Sequence, residues 1–156
     1  MLSSRLAWFG MLLLSPLGLA FAAEANANAN ANAMMQKAAA AKGAQVTAAG
    51  VVLTPIKSGK GATPTTADWV KVHYTLRHPD GPEIESSRRL GQPAVVDLAT
   101  AGACFQEGLV KMKVGGRARI TCPAATVRGS HGSSIKPTPG LPYEFQVELL
   151  GIVKHP

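Results

Sequence analysis

From Val70 to Arg77 the chain alternates between apolar and polar positions. Val70, Val72, Tyr74 and Leu76 alternate with Lys71, His73, Thr75 and Arg77, and that period of two predicts a half-buried strand. The same alternation recurs at Ala118, Ile120 and Cys122, and again at Tyr143, Phe145, Val147 and Leu149. Residues 51–56 are apolar but contain Pro55, which predicts an edge or irregular strand. Residues 94–98 form a further short β-prone segment. Phe105, Leu109 and Met112 fall at helical spacing, so one short helix is expected within 102–112, closed by Val114-Gly115-Gly116. His78-Pro79-Asp80-Gly81 is turn chemistry that reverses the chain. Strands this amphipathic make an antiparallel sheet with one wet face, and the helix covers the other. The expected fold is α+β: a twisted antiparallel sheet wrapped on one short α-helix, within residues 50–156.

The N-terminal third has a different pattern. Met1 to Arg5 carries one positive charge, residues 6–22 are almost wholly apolar, and Ala20-Phe21-Ala22 has the small-x-small form of a cleavage site. This is the layout of a signal peptide over residues 1–22, cut after Ala22 or Ala23. The competing reading is an uncleaved anchor, since the apolar run approaches the roughly 18 residues a span needs. Alternating Ala and Asn follow, with no apolar face for helix or strand. Residues 23–49 are therefore expected to be a disordered tether, with a short helix at most over 34–41. Such a segment predicts an exported monomer, periplasmic or secreted, with no lasting hold on the membrane.

Composition narrows the chemistry. Lys and Arg outnumber Asp and Glu 16 to 9, but only 5% of the 156 residues are aromatic and the cations are scattered. That favours a solvated basic surface over a nucleic-acid partner. There is no CxxC and no HExxH, and KSGKGATPTT lacks the GxxxxGK[ST] order of a phosphate loop. Neither a metal nor a cofactor is expected. The two cysteines, Cys104 and Cys122, form an even count in a chain bound for an oxidising compartment. A disulfide between them would fasten helix to sheet, and two buried free thiols are the alternative.

These elements and motifs, taken together, resemble FKBP-type peptidyl-prolyl isomerases, the exported bacterial ones in particular. Val70, Val72, His73, Tyr74, Asp80, Gly81, Ser86 and Ser87 match the pattern V-x-V-H-Y…D-G-x-x-F-D-S-S. Residues 104–109, with Met112, Gly115, Gly116 and Arg117, resemble G-W-x-E-G-L-x-x-M-x-x-G-G-K. Phe145, Val147, Glu148, Leu149 and Leu150 resemble the ending F-x-V-E-L-L. Some exported relatives also carry cysteines at the positions of Cys104 and Cys122.

The resemblance implies cis-trans isomerisation of X–Pro bonds in proline-containing polypeptides, in a pocket around Tyr74, Glu85 and Phe105. Its walls would be Ile84, Val96, Ala101, Gly102, Arg128, Ile135, Pro137 and Phe145. Several of these depart from the family pattern. Ile84-Glu85 stands for Phe-Asp, Val96 for Phe, Ala101-Gly102 for Val-Ile and Phe105 for Trp. Val127-Arg128-Gly129 stands for A-Y-G, and Pro137-Thr138-Pro139, with Ile135 nearby, for I-P-P. Glu85 is expected to be an orienting acceptor for Tyr74, Arg89 or Arg128; the plainer alternative is a surface Glu at a strand end. Two functions stay open: a weak or narrow prolyl isomerase, or an inactive polypeptide-binding or chaperone module on the same fold.

Overall fold

The computed structural model describes residues 17–127, 138 and 140–154. In chain order its elements are α1 (Leu17–Ala39), β1 (Gln45–Val46), β2 (Val52–Lys57), β3 (Trp69–Arg77), β4 (Glu83–Ser86), β5 (Ala94–Asp97), α2 (Ala103–Leu109), β6 (Arg117–Cys122) and β7 (Tyr143–Val153), with a 3₁₀ turn at Ala124–Thr126. The strands form one antiparallel sheet in the order β1-β2-β6-β7-β3-β4, and β5 shares with β4 the outer side of β3. β3 pairs with β7 from Trp69 to Arg77. On its other side it meets β5 through Trp69–Val72 and β4 through Thr75–Arg77.

The alternation read along each strand is the alternation of burial. Val70, Val72, Tyr74 and Leu76 point into the core with Ile120, Phe145, Val147 and Leu149, and α2 adds Cys104, Phe105 and Leu109. Gly108 lets the helix lie close on the sheet: a Cβ there would come within 2.8 Å of Ile120 Cδ1. The Cys104–Cys122 disulfide ties α2 to the end of β6, with Cα atoms 5.6 Å apart. Glu107 Oε2 holds the other flank by accepting from the amide of Ala49 at 3.1 Å. Pro55 is tolerated within β2 because β1 covers only Val52 and Leu53, and among the described residues no strand lies beyond them on the outer side of β2.

On the wet face one carboxylate joins three strands. Glu144 of β7 is buried, and its Oε1 accepts from Arg77 Nε of β3 at 2.8 Å, while Arg119 Nε of β6 lies 3.4 Å away. A buried carboxylate is stable only with such partners.

Residues 23–49 differ in the structure from the expectation. In place of a disordered tether with a short helix over 34–41, a continuous helix runs from Leu17 to Ala39, and β1 then pairs with β2. Ala–Asn alternation has no apolar stripe, but a helix needs none when local propensity is adequate. Ala has the lowest helical cost and Asn costs only about 0.7 kcal/mol more. The C-terminal turns of α1 also meet the domain. There Lys37 Nζ bonds Asp80 Oδ2 at 2.7 Å, and Met34 and Ala38 face Thr54, Pro79 and Arg119 across a small cavity of about 180 Å³. Asp80 suits this contact because its turn needs a positive φ of 59°, which Asp tolerates.

Removing the disulfide by the double substitution Cys104→Ala/Cys122→Ala frees a loop with a sequence separation of 18. The expected loss is about 3 kcal/mol of unfolding free energy, read as a lower urea midpoint, with reductant reproducing the effect on the native chain.

Candidate functional site

Tyr74 sits at the middle of β3, and its inward register leaves it only 7% exposed. Its backbone is clamped by Ser87, just past β4. Ser87 N donates to Tyr74 O at 3.0 Å, and Tyr74 N donates to Ser87 Oγ at 2.9 Å. His73 Nδ1 lies 2.9 Å from the same hydroxyl. Ser87 is 1% exposed, so this polar contact works in a dry setting where an unmet hydrogen bond is costly. The sequence marked Ser87 only as part of a motif; its positioning role requires knowing that the turn after β4 folds back onto β3.

β4 lies in a register that sets Glu85 opposite Leu76, with an irregularity before Arg77. That brings the Glu85 carboxylate to the phenol, and the Tyr74 hydroxyl donates to Glu85 Oε1. Of the three partners expected for Glu85, the structure supplies Tyr74. Arg89 turns elsewhere, donating to the carbonyl of Ile84 at 3.1 Å and lying 3.5 Å from Glu83. Burial pushes the Tyr74 phenol well above its ordinary value, and the Glu85 carboxylate pushes it further in the same direction. The phenol is therefore a fixed neutral donor at physiological pH.

Two aromatic rings complete the floor. Phe105 comes from the first turn of α2 and Phe145 from β7, with centroids 4.7 Å apart. The Tyr74 ring stands edge-on to Phe105 at 6.5 Å and tilted against Phe145 at 6.2 Å, arrangements that rings favour. What aims Phe105 is the turn between β5 and α2. Asp97 accepts from the Ala99 amide at 3.0 Å and from the Thr100 hydroxyl, and Gln106 Nε2 then donates to Leu98 O at 2.8 Å.

The other sequence-derived wall residues divide. Val96 is buried in the core beside Val70, Gly102 is buried at the start of α2, and Ala101 is half-buried. Ile84 is 42% exposed. Arg128, Ile135 and Pro137 lie outside the described residues. Among the described residues no group of His, Cys, Asp and Glu is placed to hold a metal ion. Ser87 has His73 beside it, but its hydroxyl is buried and already engaged with the Tyr74 backbone, so it is not presented as a nucleophile. Tyr74, Phe105 and Phe145 form a packed, nearly buried aromatic cluster with an oriented donor at its edge, an arrangement that suits orienting a substrate better than proton transfer.

A family model described as FKBP-type peptidyl-prolyl cis-trans isomerase matches residues 60–150. The chain belongs to this isomerase family. Its similarity to the FKBP-type peptidyl-prolyl cis-trans isomerase FkpA of Aeromonas hydrophila is 35% identity over 113 residues, covering 72% of this chain and 42% of that protein. Similarity to FK506-binding protein 1 of Dictyostelium discoideum is 34% over 103 residues, 65% of this chain and 96% of that protein. Among solved structures, a peptidyl-prolyl cis-trans isomerase from Pseudomonas syringae pv. tomato superposes with a TM-score of 0.72 at 25% identity, over 83% of this chain and 96% of that one. The chain spans about half the length of the first curated relatives it matches. The FKBP fold expected from the sequence is the fold observed, with Tyr74, Phe105 and the residues around them inside the matched span.

Replacing Glu85 by Gln is expected to lower the Tyr74 pKa only part of the way to its ordinary value, because burial is the larger cause. Ring-labelled tyrosine NMR across alkaline pH reads this directly. In the native chain the folded pKa lies above the unfolded one. The phenol's contribution to stability is thus complete below about pH 10 and falls as pH rises from there through the folded value.

Proposed function

We propose that the chain is an exported prolyl isomerase, active on X–Pro bonds of polypeptides outside the cytoplasm and slow or narrow in the prolines it accepts. The reading rests on one observation above others: the neutral Tyr74 hydroxyl held by Glu85 over the Phe105–Phe145 floor. Rotation about an amide crosses a barrier of about 18–20 kcal/mol because resonance must be broken. The twisted transition state has lost the charge separation of the planar amide. A dry aromatic surface therefore favours it over the ground state, and no acid, base or metal is required. The proline ring would lie against Phe105, which the buried Phe145 supports from within the core, with Tyr74 orienting the peptide beside it.

The expected weakness comes from side-chain size. Val96, Ala101, Gly102 and Ile84 are smaller than the residues of the family pattern, and at roughly 25 cal/mol per Å² the missing wall amounts to a few kcal/mol of apolar burial. In this reading residues 1–22 are removed on export and the remainder acts as a monomer without cofactor or nucleic acid. No helix among the described residues is long and apolar enough to cross a membrane. The smaller walls at Val96 and Gly102 also support a second reading, in which the groove binds polypeptide without turning it over.

Exchange NMR on an Ala-X-Pro-Phe peptide series separates the two. The isomerase reading expects faster cis-trans exchange for some X, with Tyr74→Phe lowering kcat/KM about fivefold for the loss of one hydrogen bond worth about 1 kcal/mol. Phe105→Leu should lower it as well. Broadened peptide signals with no acceleration would leave the binding module. Gain of activity in Arg128→Tyr alone would identify that residue as the block.

A further inference from the structure

The geometry points to a second polypeptide site, for an extended acidic segment, in a cleft beyond the C-terminal end of α2. A cavity of about 310 Å³ opens there between β2, the start of β6 and the turn after α2. That volume is at the lower end of the range for specific ligand sites. None of Tyr74, Glu85, Phe105 or Phe145 lines it, so it is separate from the candidate isomerase site at the first turn of α2.

Its chemistry is two-sided. Leu53, Pro55, Met112 and Ala118 make an apolar floor, and Lys57, Lys111, Lys113 and Arg117 bring four cations to the rim. No Asp or Glu lines it. Among the described residues the cations that form ion pairs are Lys37, Arg77, Arg88, Arg89 and Arg119, none of them at this cleft. Two acidic residues come near in sequence or register, and both are engaged: Glu148, opposite Arg117, by Arg88, and Glu107, four residues before Lys111, by the Ala49 amide. Like charges lining a concave, apolar-walled site focus the field onto an anion.

The rim is built rigidly. Gly61 N donates to Val114 O at 3.0 Å, and Val114 N donates to Ala62 O at 2.9 Å, so the loop after β2 and the turn after α2 are stitched together. A Cβ on Gly59 would fall 2.2 Å from Lys113 O. This close backbone approach holds Lys57 beside Lys111 and Lys113 without any carboxylate between them.

The occupant follows from shape. Leu53, Pro55 and Lys57 line the cleft at every second residue of β2, and among the described residues no strand covers the outer side of β2 beyond Leu53. An extended chain running along this edge presents alternate side chains to the cleft, apolar ones to the floor and carboxylates to the lysines. A flat bilayer surface does not enter a concavity of this kind. A nucleic acid would leave the apolar floor unused, and among the described residues no aromatic lines the cleft for a base to stack on.

The test uses the full chain and a fluorescein-labelled ten-residue peptide of alternating Glu and Leu, which contains no proline. Fluorescence anisotropy is expected to show saturable binding that weakens as salt rises. The variant Lys57→Gln/Lys111→Gln/Lys113→Gln, its fold checked by circular dichroism, should bind about tenfold more weakly, as three exposed charge contacts acting together imply. Lys111→Glu alone should weaken binding too, and neither variant should alter prolyl isomerisation of a tetrapeptide. Undiminished binding by the triple variant, or equal binding of an alternating Lys and Leu peptide, overturns the proposal. Capture by phosphatidylglycerol vesicles without peptide binding overturns it as well, and assigns the patch to a lipid surface. The proline-free probe makes these outcomes independent of whether the chain is an isomerase.

Discussion

The register between β3 and β7 is the constraint on which everything else depends. β3 lies inside the sheet, with β7 along one side and β4 and β5 dividing the other. Side chains alternate between faces, so a slip of one residue would move Tyr74 and Leu76 from the core into water and bring His73 and Thr75 inward. The core admits only the observed pairing. Glu144 reinforces it from the wet face, where it reaches Arg77 on β3 and lies beside Arg119 on β6.

With that register in place, the candidate site follows from two additions. β4 folds back so that Glu85 reaches the Tyr74 phenol, and α2 delivers Phe105 against Phe145. The disulfide and Glu107 hold α2 in position. The short helix therefore serves two places at once. Its first turn floors the aromatic site, and the turn beyond its last residue supplies Lys111, Met112 and Lys113 to the cationic cleft. One surface is apolar with a neutral donor and the other is apolar with unpaired cations, so the two suit different features of a polypeptide chain.

Much of this was legible from residue patterns. The period of two at Val70–Leu76, Ala118–Cys122 and Tyr143–Leu149 identified the strands because burial on a sheet has the same period. The spacing of Phe105, Leu109 and Met112 marked α2 for the corresponding reason in a helix. The Ala–Asn segment carries no amphipathic face, and for that reason its helix was not expected. Propensity, with docking at one end, is sufficient. The positioning roles of Ser87 and Glu144 were not legible either, since a buried serine and a buried glutamate look like surface residues until their partners on other strands are known.

The sequence by itself determined which residues turn inward, where the chain reverses, and that Tyr74, Phe105 and Phe145 would share one core. These follow from local periodicity and from turn residues, properties each segment carries alone. Only the tertiary structure decided that Glu85 meets the Tyr74 hydroxyl while Arg89 goes to Ile84 and Glu83. It alone gathered Lys57, Lys111, Lys113 and Arg117 around a single cleft. Each of those outcomes depends on segments far apart in the chain being brought within a few ångströms of each other, and no pattern within either segment specifies that distance.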